Sequence, residues 1–574
     1  MRLKITKSAH STSYQVIKSA FINGKRTSVT VESLGNSNDI IARTGCSDPE
    51  KWAREYVASL NDNARKDHVE TTITLESSKS IPLDTSRSFN GGYLFLQQIY
   101  YKLGLDRISK AVKKKHSFEY NLNSILSRLL YTRIIFPGSK LSSFEDSKKF
   151  IEQPDFELQD IYRSLSVLAS DSDYIQSCLY KNSLLISKRK TKIIYYDCTN
   201  FFFEIEESAD DSLKQYGISK EHRPNPIVQM GLFMDEEGIP LAFCINPGNT
   251  NEQQTLKPLE KTLMEDFGVS KFVVCTDAGL SSLDNRKFNN EGDRAFVTTQ
   301  SVKVMKKHLQ EWELSHDGWH ISGTDKIFNL DEIDESKHVD TLFYKERWIN
   351  ENNLEQHMIV TYSVKSKKYQ RSIRDKQIDR AKLLIEKGGK ELKHKRQTDY
   401  KRFIEIRTCT EDGEITAHEM YELNEDTIAS EERFDGFYAV CTNLEGHTSD
   451  IIKINQRRWE IEDCFRLMKS EFKSRPVYLQ RDDRIKAHFM LCFIALTIFR
   501  YLEKALDYKY SSHDITQCLK SMNFLKLEGH GYIPTYNRNE LTDALHAAFG
   551  FDTSKEIVSI TEMKKICSTM KKGN

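Results

Sequence analysis

Two short apolar runs, each ending in an aspartate, constrain this chain more than anything else in it. Lys192-Ile-Ile-Tyr-Tyr-Asp197-Cys-Thr199 is β-branched and aromatic up to its acid, and Lys271-Phe-Val-Val-Cys-Thr-Asp277-Ala-Gly279 repeats the form. Continuous apolar runs of this length read as strands buried on both faces, which puts them inside an α/β sheet covered on each side. An acid where such a strand ends sits at the sheet edge where α/β sites form. Taken singly, each aspartate is also an ordinary turn or helix N-cap residue.

A third element gives the pair meaning. The stretch from Asn455 to Lys469 reads as a helix, and at about 100° per residue it puts Asn455, Arg458, Glu462, Arg466 and Lys469 on one stripe. Ile454, Ile461, Phe465 and Met468 form an adjoining apolar stripe. One carboxylate then stands among cations on a helix that packs against a core. An acid can hold a metal there while the cations hold phosphates. Two strand-end aspartates plus a helical glutamate offer hard oxygen ligands to two Mg²⁺ or Mn²⁺ ions. Two such ions, about 4 Å apart, activate an attacking oxygen and stabilise a leaving one. The competing readings are an ion-pair-laced surface helix and a glycosidase with paired acids, which explains Asp197 and Asp277 but not the cations around Glu462.

Together these residues resemble a DDE transposase of the bacterial insertion-sequence-four superfamily, whose signature is Y-x2-R-x3-E-x6-K. Arg458, Glu462 and Lys469 fall on the R, E and K positions, and Asn455 stands where that group has tyrosine. Asp197-Cys198-Thr199 matches the D-x-T around the first acid, and Asp277-Ala278-Gly279 matches the second. Further matching text is Tyr216-Gly-Ile-Ser-Lys-Glu-His-Arg-Pro224, Pro247-Gly-Asn-Thr-Asn-Glu252, and Tyr362-Ser-Val-Lys365 with the basic run after it.

The resemblance implies an α/β fold: an RNase H-like catalytic core interrupted by a β-rich insertion, with a helical N-terminal domain and a small N-terminal β unit. Asp277 and Glu462 stand 185 residues apart, too far for a simple connection. It implies Asp197, Asp277 and Glu462 as catalytic residues and metal ligands, with Asp197 bridging two Mg²⁺ (or Mn²⁺) ions in each active site. Arg458, Lys469, Arg466 and Asn455 are the implied DNA contacts. The implied activity is cut-and-paste transposition of an insertion sequence, by phosphodiester hydrolysis and then strand transfer. The implied partners are double-stranded DNA, both terminal inverted repeats and target, and a second copy of the chain in a homodimer on that DNA. The alternative is a domesticated, catalytically silent DNA-binding protein on the same fold; all three acids are present.

At 574 residues the chain is too long for one core. The expected divisions are residues 1–75, a β-rich unit plus helix; 76–190, a helical domain that binds the DNA end; 191–300 with 436–505, the catalytic core; 301–435, the insertion; and 506–574, a helical tail. Asn23-Gly24 reads as a type I′ hairpin turn, and a helix is expected from Asp48-Pro49. Helices are also expected at 93–103, 122–135 and 174–186, and a hairpin at 227–234 and 240–245.

A net charge of +1 gives no global pull on DNA, so binding needs local patches. The clearest runs from Lys365 to Arg402, with smaller ones at Lys110–Lys115 and Lys188–Lys192. Phosphate contact and a solvated helix face account for such a run about equally well. No apolar run reads as long enough to span a bilayer, residues 489–500 read as a buried helix, and the first residues lack a signal-peptide core. The expectation is a cytoplasmic, nucleoid-associated protein with no membrane partner. Eleven cysteines without a Cys-x-x-Cys pair give no zinc signature. Trp459 and His488 read as packing residues.

Overall fold

In a computed structural model the described residues are all but 9–10, 23–24, 67–76, 79, 205–210, 222, 388–398, 410–414 and 573–574. The chain forms two compact units, Met1–Thr85 and Ser86–Asn574.

In the first unit, strands β1 (Arg2–Lys7), β2 (Thr12–Ile22) and β3 (Lys25–Asn36) form an antiparallel sheet. Helices α1 (Ser37–Thr44) and α2 (Pro49–Lys66) follow. Each helix begins where a side chain accepts its first free N–H groups: Asn36 for α1 and Asp48 for α2. Tyr14, Val16, Leu34, Ile40, Ala53 and Val57 make the core. The Asn23-Gly24 turn lies outside the described residues.

The second unit starts with β4 (Ser88–Asn90) and six helices: α3 (Tyr93–Lys102), α4 (Leu105–Lys115), α5 (Leu122–Ile135), α6 (Lys140–Ser147), α7 (Leu158–Ser170) and α8 (Ser172–Ile186). A nine-stranded sheet follows. Its first strands are β5 (Ile193–Phe202), β6 (Ile227–Asp235) and β7 (Pro240–Pro247), then, after α9 (Leu256–Asp266), β8 (Val273–Thr276) and, after α10 (Leu283–Phe288), β9 (Ala295–Gln300). Past α11 (Lys307–Leu314) come β10 (His320–Ile321), β11 (Leu342–Glu351) and β12 (Leu354–Ser363). Helix α12 (Val364–Glu386), a hairpin of β13 (Ile404–Cys409) and β14 (Ile415–Leu423), and α13 (Glu425–Glu432) precede β15 (Phe437–Thr442). The spatial order is β10-β11-β12-β15-β9-β8-β5-β6-β7. β5, β8 and β9 run parallel; the other neighbours are antiparallel.

The apolar run of β5 explains its central place. Tyr195 and Phe201 join one hydrophobic cluster, and Ile194, Tyr196 and Cys198 join the other. Alternate side chains leave a strand on opposite faces, so only a strand covered on both sides can bury them all. The 227–234 and 240–245 hairpin forms as expected, as β6 and β7.

Four expectations need correction. Residues 301–435 are not one separate β unit: β10, β11 and β12 extend the sheet that carries the acids, and only the β13-β14 hairpin, packed on α12, stands apart. The tail after 505 is not purely helical. After α14 (Thr448–Gln456), α15 (Trp459–Ser470) and α16 (Asp482–Ala505) come α17 (Ser512–Ser521), β16 (Asn523–Leu527), β17 (Gly531–Pro534), α18 (Glu540–Phe549), β18 (Val558–Ser559) and α19 (Ile560–Met570). β18-β17-β16-β4 form a sheet, so residues 76–190 are not all helical either. The short alternation Asn523-Phe-Leu-Lys-Leu527 pairs with a strand more than 430 residues earlier, which no local pattern reveals. Finally, α16 extends the 489–500 run to 24 residues, long and apolar enough to cross a membrane; its most apolar 18-residue window is 94% buried inside the protein, and the helix packs against α3, α5 and α7.

Candidate active site

Register brings the two aspartates together. β5 and β8 pair in parallel, Ile193 with Val273 through Tyr195 with Cys275, each partner eighty residues later. Asp197 and Asp277 keep that offset two residues on, where neighbouring strands lie about 4.8 Å apart. Asp197 is buried on β5; its Oδ1 accepts the Cys198 N–H at 2.7 Å. Asp277 follows β8 directly and caps the short turn Ala278–Leu280, its Oδ1 accepting the Leu280 N–H at 3.1 Å.

Burial, then the charge of Asp277, pushes the Asp197 carboxyl up to about 7; Lys220, the Cys198 N–H and Arg458 oppose that rise. A buried carboxylate beside a like charge is the donor set that a hard divalent cation relieves.

Lys220 was missed in the sequence. Its Nζ donates to the Cys198 carbonyl at 2.6 Å and pairs with Glu252 at 3.1 Å. Two loops hold it in place. A Cβ on Gly217 would stand 2.0 Å from the Gly248 carbonyl, so only glycine lets the 216–220 and 247–252 loops meet there. Between them and Gly279 lies a cleft of about 560 Å³. Both loops fall in text that matched the family, but no spacing rule gives their convergence on Asp197.

The helix read as continuous from Asn455 to Lys469 is broken. α14 ends at Gln456, Arg457 and Arg458 turn, and α15 begins at Trp459. The stripe splits with it. Asn455 belongs to α14, where its Oδ1 accepts from the Thr299 hydroxyl at 3.2 Å. The reorientation also corrects Trp459: expected in the core, it is 61% exposed.

On α15, Lys469 donates to the Thr199 hydroxyl at 2.7 Å and lies 3.6 Å from Glu221. Burial, then Lys220, lowers its ammonium to about 8, partly offset by Asp197. Glu221 also pairs with Arg475. Arg458 pairs with Glu462 at 3.2 Å. Arg466 points outward and pairs with Asp463. His488 is buried against Phe489, with Nε2 3.1 Å from the Ser474 carbonyl, a packing histidine as expected.

The structure thus brings Asp197, Asp277, Thr199, Lys220 and Lys469 together, and Arg458 acts on Asp197 from nearby. Glu462 is held by Arg458 instead. Among the described residues no three His, Cys, Asp or Glu side chains gather as a metal-binding group.

The basic run is partly consumed inside the protein. Arg374 forks onto Asp435 at 2.7 Å, Lys367 pairs with Glu335, and Arg402 with Glu431. Lys390, Lys393, Lys395 and Arg396 lie outside the described residues.

Residues 201–498, more than half of the chain, match the family model described as a transposase DDE domain. The chain belongs to that family. The matched segment takes in Asp277, Arg458, Glu462 and Lys469 and begins four residues after Asp197. Among solved structures, one similar chain comes from the piggyBac transposase synaptic complex with hairpin DNA: 8% identity and a TM-score of 0.35, covering 75% of this chain and 79% of that one. Another, from the Mos1 transposase paired-end complex with left transposon end, has 10% identity and a TM-score of 0.13 over 44% and 68%. At such scores the overlays carry no structural argument. No curated protein matches the sequence.

Proposed function

We propose that this transposase cuts and rejoins the DNA of its own element by a cut-and-paste route, on an RNase H-like core, as a member of the insertion-sequence-four group. The observation that carries the reading is Asp197 on β5 and Asp277 directly after the parallel neighbour β8, close enough for one charge to act on the other, with Lys220, Lys469 and Arg458 around them. The order β7-β6-β5-β8-β9, antiparallel on one side of β5 and parallel on the other, supports the RNase H-like reading.

In this reading Asp197 and Asp277 hold Mg²⁺ or Mn²⁺, and Glu462 joins them once DNA phosphate takes over Arg458. The bound cations would supply charge neutralisation at the phosphorus under attack. The chain's own groups do the positioning. Lys469, fixed by Thr199, and Arg458 hold phosphates beside the scissile bond, Lys as a point charge and Arg as a fork. Lys220 balances the aspartates while no DNA is bound. Attack on phosphorus asks for this kind of placement rather than a protein nucleophile. The partners in this reading are terminal inverted repeats and target DNA, engaged by a homodimer. The pairing of Glu462 with Arg458 is the one observation favouring the silent, DNA-binding alternative.

The test is nicking of DNA carrying the element's ends by the purified full chain with Mg²⁺ or Mn²⁺. Asp197→Asn, Asp277→Asn and Glu462→Gln should each abolish cutting and keep end binding. Binding without cutting by the wild-type chain would support the silent alternative.

A further inference from the structure

A second cleft, of about 710 Å³, opens elsewhere in the large unit, and cations dominate its wall. It lies at the N-terminus of α6, where residues 137–140 line it. The first backbone N–H groups of a helix have no intrahelical partner and carry partial positive charge; in α6 the Ser139 hydroxyl accepts from one of them, the Ser142 N–H, at 3.1 Å. Lys140, the first residue of α6, is only 6% exposed, yet it is among the residues lining the cleft. It has no carboxylate partner; its electrostatic neighbours are Arg133 and the Cys492 thiol.

Three more cations share the wall. Arg133 is buried and donates to the Phe472 carbonyl at 3.0 Å. Arg484 lies over the Tyr162 ring, and its buried Nε has no hydrogen-bond partner. Lys473 makes no ion pair among the described residues. Two other cations of the wall are already answered, Arg475 by Glu221 and Arg481 by Asp483. Among the described residues no carboxylate lines the cleft.

Unpaired buried cations are costly, and a protein keeps them where a ligand completes them. Burial, then Arg133, lowers the Lys140 ammonium to about 7, the direction expected of a charge awaiting its partner. A helix N-terminus with a buried lysine fits an anion. The cleft is far larger than one anion, and Tyr162 and Leu479 give it an apolar side. That shape suits the phosphate of an ester, with room for the group it is attached to.

We propose that this cleft binds a phosphate ester, with its phosphate at Lys140 and the α6 N-terminus and with Arg133, Arg484 and Lys473 completing the charge. The ester is either a backbone phosphate of DNA or a free nucleotide. The cleft adjoins the candidate active site, because Glu221 pairs with both Arg475 of this wall and Lys469; its DNA arm rests on the transposition reading, and its nucleotide arm does not.

The test is calorimetric titration of the full chain with adenosine monophosphate and, separately, with a short DNA duplex. Wild-type protein is compared with Lys140→Met and, as a second variant should the first not fold, Arg484→Met. The expected result is a loss of about tenfold or more in affinity for one of the two probes. Loss for the monophosphate alone identifies a free nucleotide. Loss for the duplex, with the slope of affinity against salt reduced by about one, identifies a backbone phosphate. Lys140→Met should also melt no lower than wild type, because it removes an uncompensated buried charge. A folded variant that binds both probes as tightly as wild type overturns the proposal.

Discussion

Around Asp197 each cation in reach is answered by an acid: Lys220 by Glu252, Arg458 by Glu462, Lys469 by Glu221. Along the wall of the α6 cleft, Lys140, Lys473 and Arg484 have no such partner among the described residues. The first region carries its own counter-charges and must exchange them when substrate arrives. The second has an excess of one sign and gains simply by being filled. A site that performs chemistry on a polyanion needs acids for the cation and bases for the phosphate, so its ground state is a set of ion pairs. A site that only holds an anion has no use for acids.

The largest effect should come from breaking the acid pair. Asp277→Asn is expected to lower DNA cleavage by ~10³-fold or more while end binding, read by gel shift, stays within a few-fold. Next is Arg458→Lys, which keeps the charge but loses the fork that phosphate needs. Its cleavage rate should fall by roughly 10- to 100-fold. Retention of the full rate would mean that Arg458 serves only to hold Glu462.

The third expectation concerns stability. Asp197 ionises near 3.8 in an unfolded chain and near 7 in the folded one. Above pH 7 folding carries the whole cost of burying that charge, and below pH 4 it carries none. This group therefore makes the metal-free protein less stable as pH rises from about 4 to 7. Asp197→Asn should recover ~2 to 4 kcal/mol at pH 8 and almost nothing at pH 4, measured by denaturant melts without divalent ions. Equal effects at both pH values would place the carboxylate in water. The smallest effect is expected from Arg466→Ala, whose exposed guanidinium pairs with an Asp463 that Arg500 also holds. Cleavage should stay within about twofold, because surface pairs of this kind contribute little.

Much of the catalytic half was legible in the sequence. The two aspartates stood out because runs such as Ile194-Tyr-Tyr-Asp197 alternate into two cores and can be nothing but central strands. The helices expected from Asp48-Pro49 and over 122–135 form as α2 and α5, and the structure adds their caps, Asp48 and Asn121. What escaped was set by tertiary structure. The break at Arg457–Arg458 sits inside an unbroken helical pattern with no Gly or Pro, so nothing local announces it or the exposure of Trp459. The basic run stayed open between phosphate contact and a solvated face because sequence shows neighbours along the chain; the partner of Arg374 is Asp435, sixty-one residues on. Lys220 and Lys140 escaped for the same reason: their meaning lies in Asp197 and in the α6 cleft.

The central claim is that Asp197 and Asp277 act as one cation-binding centre. Manganese binding to the full chain, followed by electron paramagnetic resonance, tests it without any DNA. Wild-type protein should bind Mn²⁺, and Asp197→Asn and Asp277→Asn should each weaken that binding by at least about tenfold. Undiminished Mn²⁺ binding by the folded Asp197→Asn, Asp277→Asn double variant would contradict it.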